Sequence, residues 1–163
     1  VCVTGIKLYR LVAVTFGLLC ILQVTLNICL YASVCLYVQK GWVYFSDSIY
    51  YISSTKKTWQ DSRNDCLQKV IDGYFLYKKD FTRQSKKNVW IGLTDSETEG
   101  TWKWVDGTPL TTSYWASDEP NNIGPGNTAE NCGEVMMHQL ENNWNDLSCD
   151  NLKLWICEIK LPP

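Results

Sequence analysis

The sequence predicts an α+β domain, rich in loops and stapled by cysteines, following a single membrane-spanning helix. Three observations lead there. A long N-terminal run, Leu11 to Val38, carries no charge and is dominated by Leu, Val, Ile and Cys. Four of the cysteines (Cys2, Cys20, Cys29 and Cys35) lie in or beside that run, and four (Cys66, Cys132, Cys149 and Cys157) lie in the polar remainder. Short strand-like and helix-like segments then give way to an irregular stretch punctuated by Pro and Gly. At 163 residues and a net charge of -2 the chain has room for one domain of ordinary size.

The apolar run comes first. About 20 apolar residues suffice to cross a bilayer as a helix, and a soluble core helix of this length, apolar all round, does not suit so small a domain. A secretory signal has an apolar stretch of about 7–15 residues, which this run exceeds, although Ala32-Ser33 mimics a cleavage site. Lys7 and Arg10 precede the run and Lys40 follows it. Positive charge favours the cytoplasmic side. The expected organisation is therefore a cytoplasmic remnant over 1–10, an anchor over 11–38, a very short stalk over 39–41 and an extracellular domain over 42–159. No heptad run stands behind the domain to cluster it, and Cys35 is a candidate for pairing with a second copy.

Past the anchor, Trp42 to Phe45 and Ile49 to Ile52 read as two short strands around a polar turn at Ser46-Asp47-Ser48. Ser53-Ser54-Thr55 supplies N-cap candidates for a helix through Trp59, Arg63 and Cys66. A second helix is expected over about 70–88, where Val70 to Leu76 and the polar Lys78 to Lys87 give little pattern. Val89 to Leu93 is an apolar strand, and Trp102 to Val105 alternates toward a turn at Asp106-Gly107. From Thr108 to Cys132 no period is visible. Loops of this length without structure of their own tend to be functional or disordered. Eight Trp and nine Tyr supply rings mostly to the core.

Function is most legible in Glu119-Pro120-Asn121, Glu130-Asn131-Cys132 and Trp144-Asn145-Asp146. Their carboxylates and amides are all hard oxygen donors, the chemistry calcium takes in six- to eight-fold coordination. Nucleic acid is not an expected partner, because no basic run exceeds two residues. Paired carboxylates also serve glycoside hydrolysis, but here they are read as metal ligands. The single His138 reads as a strand residue, and no nucleophile motif accompanies it, so an enzyme is not expected.

These residues form an ordered series with Gly41-Trp42, Trp59, Cys66, Trp90-Ile91-Gly92-Leu93, Gly100-Thr101-Trp102-Lys103-Trp104, Cys149 and Trp155-Ile156-Cys157-Glu158. The series, over about Gly41 to Ile159, resembles a C-type lectin domain of the mannose-binding subclass in type II membrane receptors of dendritic cells and macrophages. The resemblance implies two helices, two small antiparallel sheets, a long calcium-binding loop and a cis bond before Pro120. It implies disulfides Cys66–Cys157 and Cys132–Cys149, each contributing roughly 3–5 kcal/mol through loop entropy and each requiring an oxidising face. Ile49 stands where relatives with an extra N-terminal disulfide have its second cysteine. The chain therefore looks like the short form.

The resemblance further implies that Glu119, Asn121, Glu130, Asn145 and Asp146 hold the principal Ca2+. Of these, Glu119, Asn121, Glu130 and Asn145 would also contact sugar. Asp95, Glu99 and Asn122 match a second metal site in which Asn131 stands where an Asp is usual, so that site is expected to be weaker. Pro125 to Thr128 looks like an insertion. In the family the Glu-Pro-Asn order goes with mannose, N-acetylglucosamine and fucose, whereas Gln-Pro-Asp goes with galactose. The expected function is a calcium-dependent glycan receptor at the plasma membrane, single-pass type II, engaged in innate immune recognition. The alternative is a lectin-like receptor for a protein ligand, independent of calcium.

Overall fold

A computed structural model describes residues 2–69, 87–136 and 140–161, with side chains from residue 12 onward. The chain separates into two compact units, Val1–Gly41 and Trp42–Pro163. The first is one helix, α1 (Cys2–Gln39). Its stretch Val12–Gln39 spans 28 residues, about 42 Å at 1.5 Å per residue, and is long and apolar enough to cross a membrane. Apolar side chains project outward all round, including Phe16, Leu19 and Ile28. Several of the polar side chains bond within the helix, an arrangement that suits a hydrocarbon surrounding. Thr15, Thr25 and Ser33 donate to the carbonyls of Val12, Leu22 and Cys29, and Gln23 donates to Asn27. Gly41, at φ 87°, ends the helix, its N–H donating to the carbonyl of Val38.

The second unit is built on β1 (Val43–Phe45), β2 (Ser48–Ile52), α2 (Trp59–Lys69), β3 (Val89–Thr94), β4 (Lys103–Trp104), β5 (Cys132–Val135), β6 (Trp144–Leu147) and β7 (Leu154–Lys160). The strand order is β1-β2-β7-β3-β5-β6, with β4 on β3. Both expected antiparallel groups are present, β1-β2-β7 and β4-β3-β5-β6. They are not separate: Val89 and Trp90 pair in parallel with Leu154 and Trp155, joining them into one mixed sheet. Burial explains the join, because β3 is covered on both faces and its backbone needs partners along both edges.

Helix α2 starts later than Ser53-Ser54-Thr55 suggested. Thr58 caps it, its hydroxyl accepting from Asp61 N at 3.2 Å. Ser53 does something else. Its hydroxyl accepts from Trp155 N at 3.0 Å and donates to Thr55 O at 2.9 Å, tying the end of β2 to β7. Trp59 fixes α2 to the sheet, its indole donating to Ile91 O at 2.8 Å. The expected second helix over 70–88 falls mainly outside the described residues, as does His138.

Tyr50, Val89, Ile91, Leu93, Val135 and Ile156 form the core with Trp102 and Trp144. Gly133 sits tightly there, since a Cβ would meet Leu93 Cβ at 3.1 Å and Ile91 Cγ1 at 3.3 Å. Disulfides join Cys66 to Cys157 and Cys132 to Cys149, the pairing implied by the resemblance. The first closes the domain from α2 to β7; the second ties β5 to the segment after β6.

Candidate functional site

The irregular stretch between β4 and β5 is ordered at its base by aromatic packing. Tyr114 and Trp115 meet the Trp144 ring edge-on at 5.3 and 5.6 Å between centroids. Trp144 N and Asn143 N both donate to Tyr114 O, and Ala116 N donates to Trp144 O. Trp144 opens β6, so this anchor delivers the loop to Asn145 and Asp146.

Asp146, fully buried, organises the far part of the loop. Its carboxylate oxygens accept from the backbone N–H of Asn121 at 3.2 Å and of Asn122 at 2.7 Å. The Glu119–Pro120 bond before them is cis. Asn121 Oδ1 accepts from Ile123 N at 2.6 Å, and Asn122 Oδ1 accepts from Glu130 N at 2.6 Å. The loop therefore closes on itself. Gly124 to Thr128 fold as a turn of their own, with Gly124 N donating to Thr128 O and Asn127 N to Gly124 O, both at 2.9 Å. Gly124 has no space for a side chain there: a Cβ would lie 2.4 Å from Thr128 Oγ1. Because the turn is self-contained, Glu130 links back to Asn122 across it.

Electrostatics mark this cluster as short of cations. Burial, then hydrogen bonding and repulsion from Asp146, with a smaller contribution from Glu130, push the Glu119 carboxyl up to about 7. Burial also raises Glu130, followed by the charges of Asp146 and Glu134. Glu119 Oε2 is buried with no hydrogen-bond partner among the described residues. Like charges gathered in a partly desolvated site, with an orphaned acceptor, suit a bound cation. The donors are oxygens only, which suits a hard ion. Among the described residues no three His, Cys, Asp or Glu side chains gather tightly enough to hold an ion by themselves. Any cation here needs the amides as well.

The residues of the expected second site also meet in part. Asp95 N donates to Asn131 O at 3.3 Å, and Asp95 Oδ2 accepts from Gly100 N at 2.8 Å. Asp95 Oδ1 and Asn131 Oδ1 are buried without partners among the described residues. Burial, chiefly, raises the Asp95 carboxyl. Glu99 is exposed, and slight desolvation followed by the Asp95 charge raises it. Asn122 instead faces Glu130.

One contributor was not anticipated. Glu134, 1% exposed on β5, accepts from Asn145 Nδ2 at 3.3 Å through Oε1. Its Oε2 lies 2.8 Å from Lys153 Nζ, close for an ion pair though off the hydrogen-bonding angle. Asn145 Nδ2 also donates to Asp146 O. Glu134 thus holds the amide of Asn145 in one orientation. A carboxylate inside the otherwise apolar strand Cys132–Val135 was the available signal.

The sequence profile described as "Lectin C-type domain" matches residues 55–159. The chain belongs to the C-type lectin family. CD209 antigen-like protein D of mouse is 37% identical over 131 residues, covering 73% of this chain and 51% of that protein. The chain thus spans about half the length of that relative, and 32% of the CD209 antigen of Symphalangus syndactylus. The mouse scavenger receptor C-type lectin carbohydrate-recognition domain superposes with a TM-score of 0.65 at 31% identity, covering 74% of this chain and 96% of that one. A calcium-independent type II antifreeze protein superposes with a TM-score of 0.63 at 25% identity, covering 74% and 92%. C-type lectin relatives of this kind are binding receptors rather than enzymes.

Proposed function

We propose that this C-type lectin is a calcium-dependent glycan receptor of the mannose, N-acetylglucosamine and fucose class. The observation that carries the reading is the all-oxygen cluster organised by Asp146, with Glu119 raised in pKa and holding an unpartnered, buried oxygen. Glu119, Asn121, Glu130, Asn145 and Asp146 would hold the Ca2+, which when bound supplies coordination positions for two vicinal sugar hydroxyls. The chain's own residues do the discriminating. A carboxylate only accepts hydrogen bonds and an amide NH2 donates them. Glu119 with Asn121, and Glu130 with Asn145, therefore offer each hydroxyl one acceptor and one donor. Both protons of the Asn145 amide are engaged without sugar, by Glu134 Oε1 and Asp146 O, so the second pair opens to a hydroxyl when one of these bonds is exchanged.

A second, weaker Ca2+ site is proposed at Asp95, Glu99, Asn122 and Asn131, where the amide of Asn131 replaces a carboxylate and lowers the local charge. The apolar helix Val12–Gln39 supports a single-pass type II receptor at the plasma membrane with the lectin unit outside. The two disulfides agree with an oxidising exterior. The receptor is expected to act in innate immune recognition and as a homo-oligomer, because one shallow sugar site gains strength from multivalency. The alternative reading, a calcium-independent receptor for a protein ligand, draws support from the amides of Asn121 and Asn122, which already accept hydrogen bonds inside the loop.

The double substitution Glu119→Gln with Asn121→Asp exchanges acceptor and donor at one hydroxyl. It is expected to shift retention from mannose beads to galactose beads. Unchanged preference would sink the donor–acceptor account.

A further inference from the structure

A cleft of about 330 Å³ opens between α2, β3 and the β4 turn, and none of its walls belongs to the proposed calcium residues. Trp59, Gln60 and Arg63 line it from α2, with Ser96, Thr101 and Trp104 on the other side. Trp59 and Arg63 share a helix face by their i,i+4 spacing. Its charges are unequal in their commitments. Lys103, also on the wall, is tied to Glu97 at 2.8 Å, so that rim pair is neutral. Arg63 is half-buried, and no hydrogen bond or ion pair engages its guanidinium among the described residues. Neither acid of α2 answers it: Asp65 is taken by Lys57 and Lys69, and no ion pair joins Asp61 to Arg63 among the described residues. The Arg63 guanidinium is open to solvent with no acceptor from the described residues, so it is available to a carboxylate, which a guanidinium takes in a bidentate fork.

The rest of the wall limits what carries that carboxylate. The Thr101 hydroxyl makes no hydrogen bond among the described residues, and the Gln60 amide oxygen is free while its NH2 donates to Asn64 at 3.1 Å. The half-buried indole of Trp104 gives an apolar surface beside them. Free donor, free acceptor, indole and guanidinium around a space of this size match a ring with hydroxyls and one carboxylate.

We infer that the cleft beside Arg63 is a second ligand site that takes a carboxylate-bearing pyranose, independently of calcium. Arg63 forks onto the carboxylate, Thr101 and Gln60 meet ring hydroxyls, and Trp104 packs against the ring. The receptor would then read an acidic sugar at one place and a neutral terminal sugar at another.

The test uses the full chain in detergent micelles with EDTA, so that the calcium-dependent site is silent. Tryptophan fluorescence is followed during titration with methyl glucuronide and with methyl glucoside, which differ by the carboxylate. Methyl glucuronide is expected to give a saturable change with a Kd on the order of 1 mM, as one ring allows. Methyl glucoside is expected to bind at least about tenfold more weakly. Arg63→Gln should remove the difference between the two, and Gln60→Trp, which fills the cleft from an exposed helix position, should abolish both responses. N-acetylaspartate, a carboxylate without a sugar ring, should be bound more weakly than the glucuronide. Equal responses to glucuronide and glucoside, or an unchanged response in both variants, would overturn the proposal. Preference for N-acetylaspartate would replace the sugar with an acidic peptide and overturn it equally.

Discussion

Lys153→Met is the substitution that most directly probes how the sheet supports the loop. Glu134 is 1% exposed and has Lys153 Nζ 2.8 Å from Oε2. The lysine side chain itself is 26% exposed. Removing one partner of a fully buried ion pair costs about 3–5 kcal/mol, because the other charge is left in a poor solvent. Partial exposure of Lys153 admits solvent and lowers the figure, so about 2–3 kcal/mol is expected. Met keeps the stem's packing, and the backbone bonds between Lys153 and Lys57 do not depend on the side chain. At a melting entropy of about 2.1 cal/mol/K per residue, that loss lowers the Tm of the Trp42–Pro163 unit by roughly 10 °C. All eight Trp lie in that unit, so urea unfolding followed by Trp fluorescence, with disulfides intact, reads it well. The double variant Glu134→Gln/Lys153→Met should recover at least about 1 kcal/mol of the loss, since neither charge remains buried. A loss under about 0.5 kcal/mol in the single variant, or no recovery in the double, would refute the claim that this pair holds a buried charge.

Two further outcomes rest on the same structure. Tyr50 donates to Glu158 Oε1 at 2.6 Å with both residues buried, so Tyr50→Phe should cost about 1–3 kcal/mol in the same urea assay; an unchanged midpoint would contradict it. In the metal-free protein burial and then Asp146 push Glu119 up to about 7, so a proton competes with Ca2+ for this carboxylate below neutrality. Calorimetric Ca2+ titration should show affinity falling on the order of tenfold between pH 7.5 and 5.5, and a flat profile would refute the competition.

Much of the fold was legible because its signals are local. The strands around Ser46-Asp47-Ser48 and the apolar Val89–Leu93 carry their period in a few residues, and β1, β2 and β3 form there. The helix start was misplaced because Ser53, Ser54, Thr55 and Thr58 are all competent caps. Ser53 is withdrawn from capping by the demand of Trp155 N for its hydroxyl, a contact 102 residues away in sequence. The joining of the two antiparallel groups by β3 and β7 was hidden for the same reason, since it rests on pairing Val89 with Leu154. In the candidate site, Glu119, Asn121, Glu130, Asn145 and Asp146 were named by motif order. The partner that orients Asn145 was not, because Glu134 lies outside every motif and its ion partner is on the segment leading into β7. The base of the loop is held by Tyr114, Trp115 and Trp144, an anchor that pairs residues about 30 positions apart and leaves no local period.

Retention of the Trp42–Pro163 unit on mannose-agarose, with Ca2+ and then with EDTA, tests the central claim most directly. Retention in Ca2+ that EDTA abolishes is the predicted result. Passage of the folded unit straight through the column in saturating Ca2+ would contradict a mannose-type, calcium-dependent site at Glu119, Asn121, Glu130, Asn145 and Asp146.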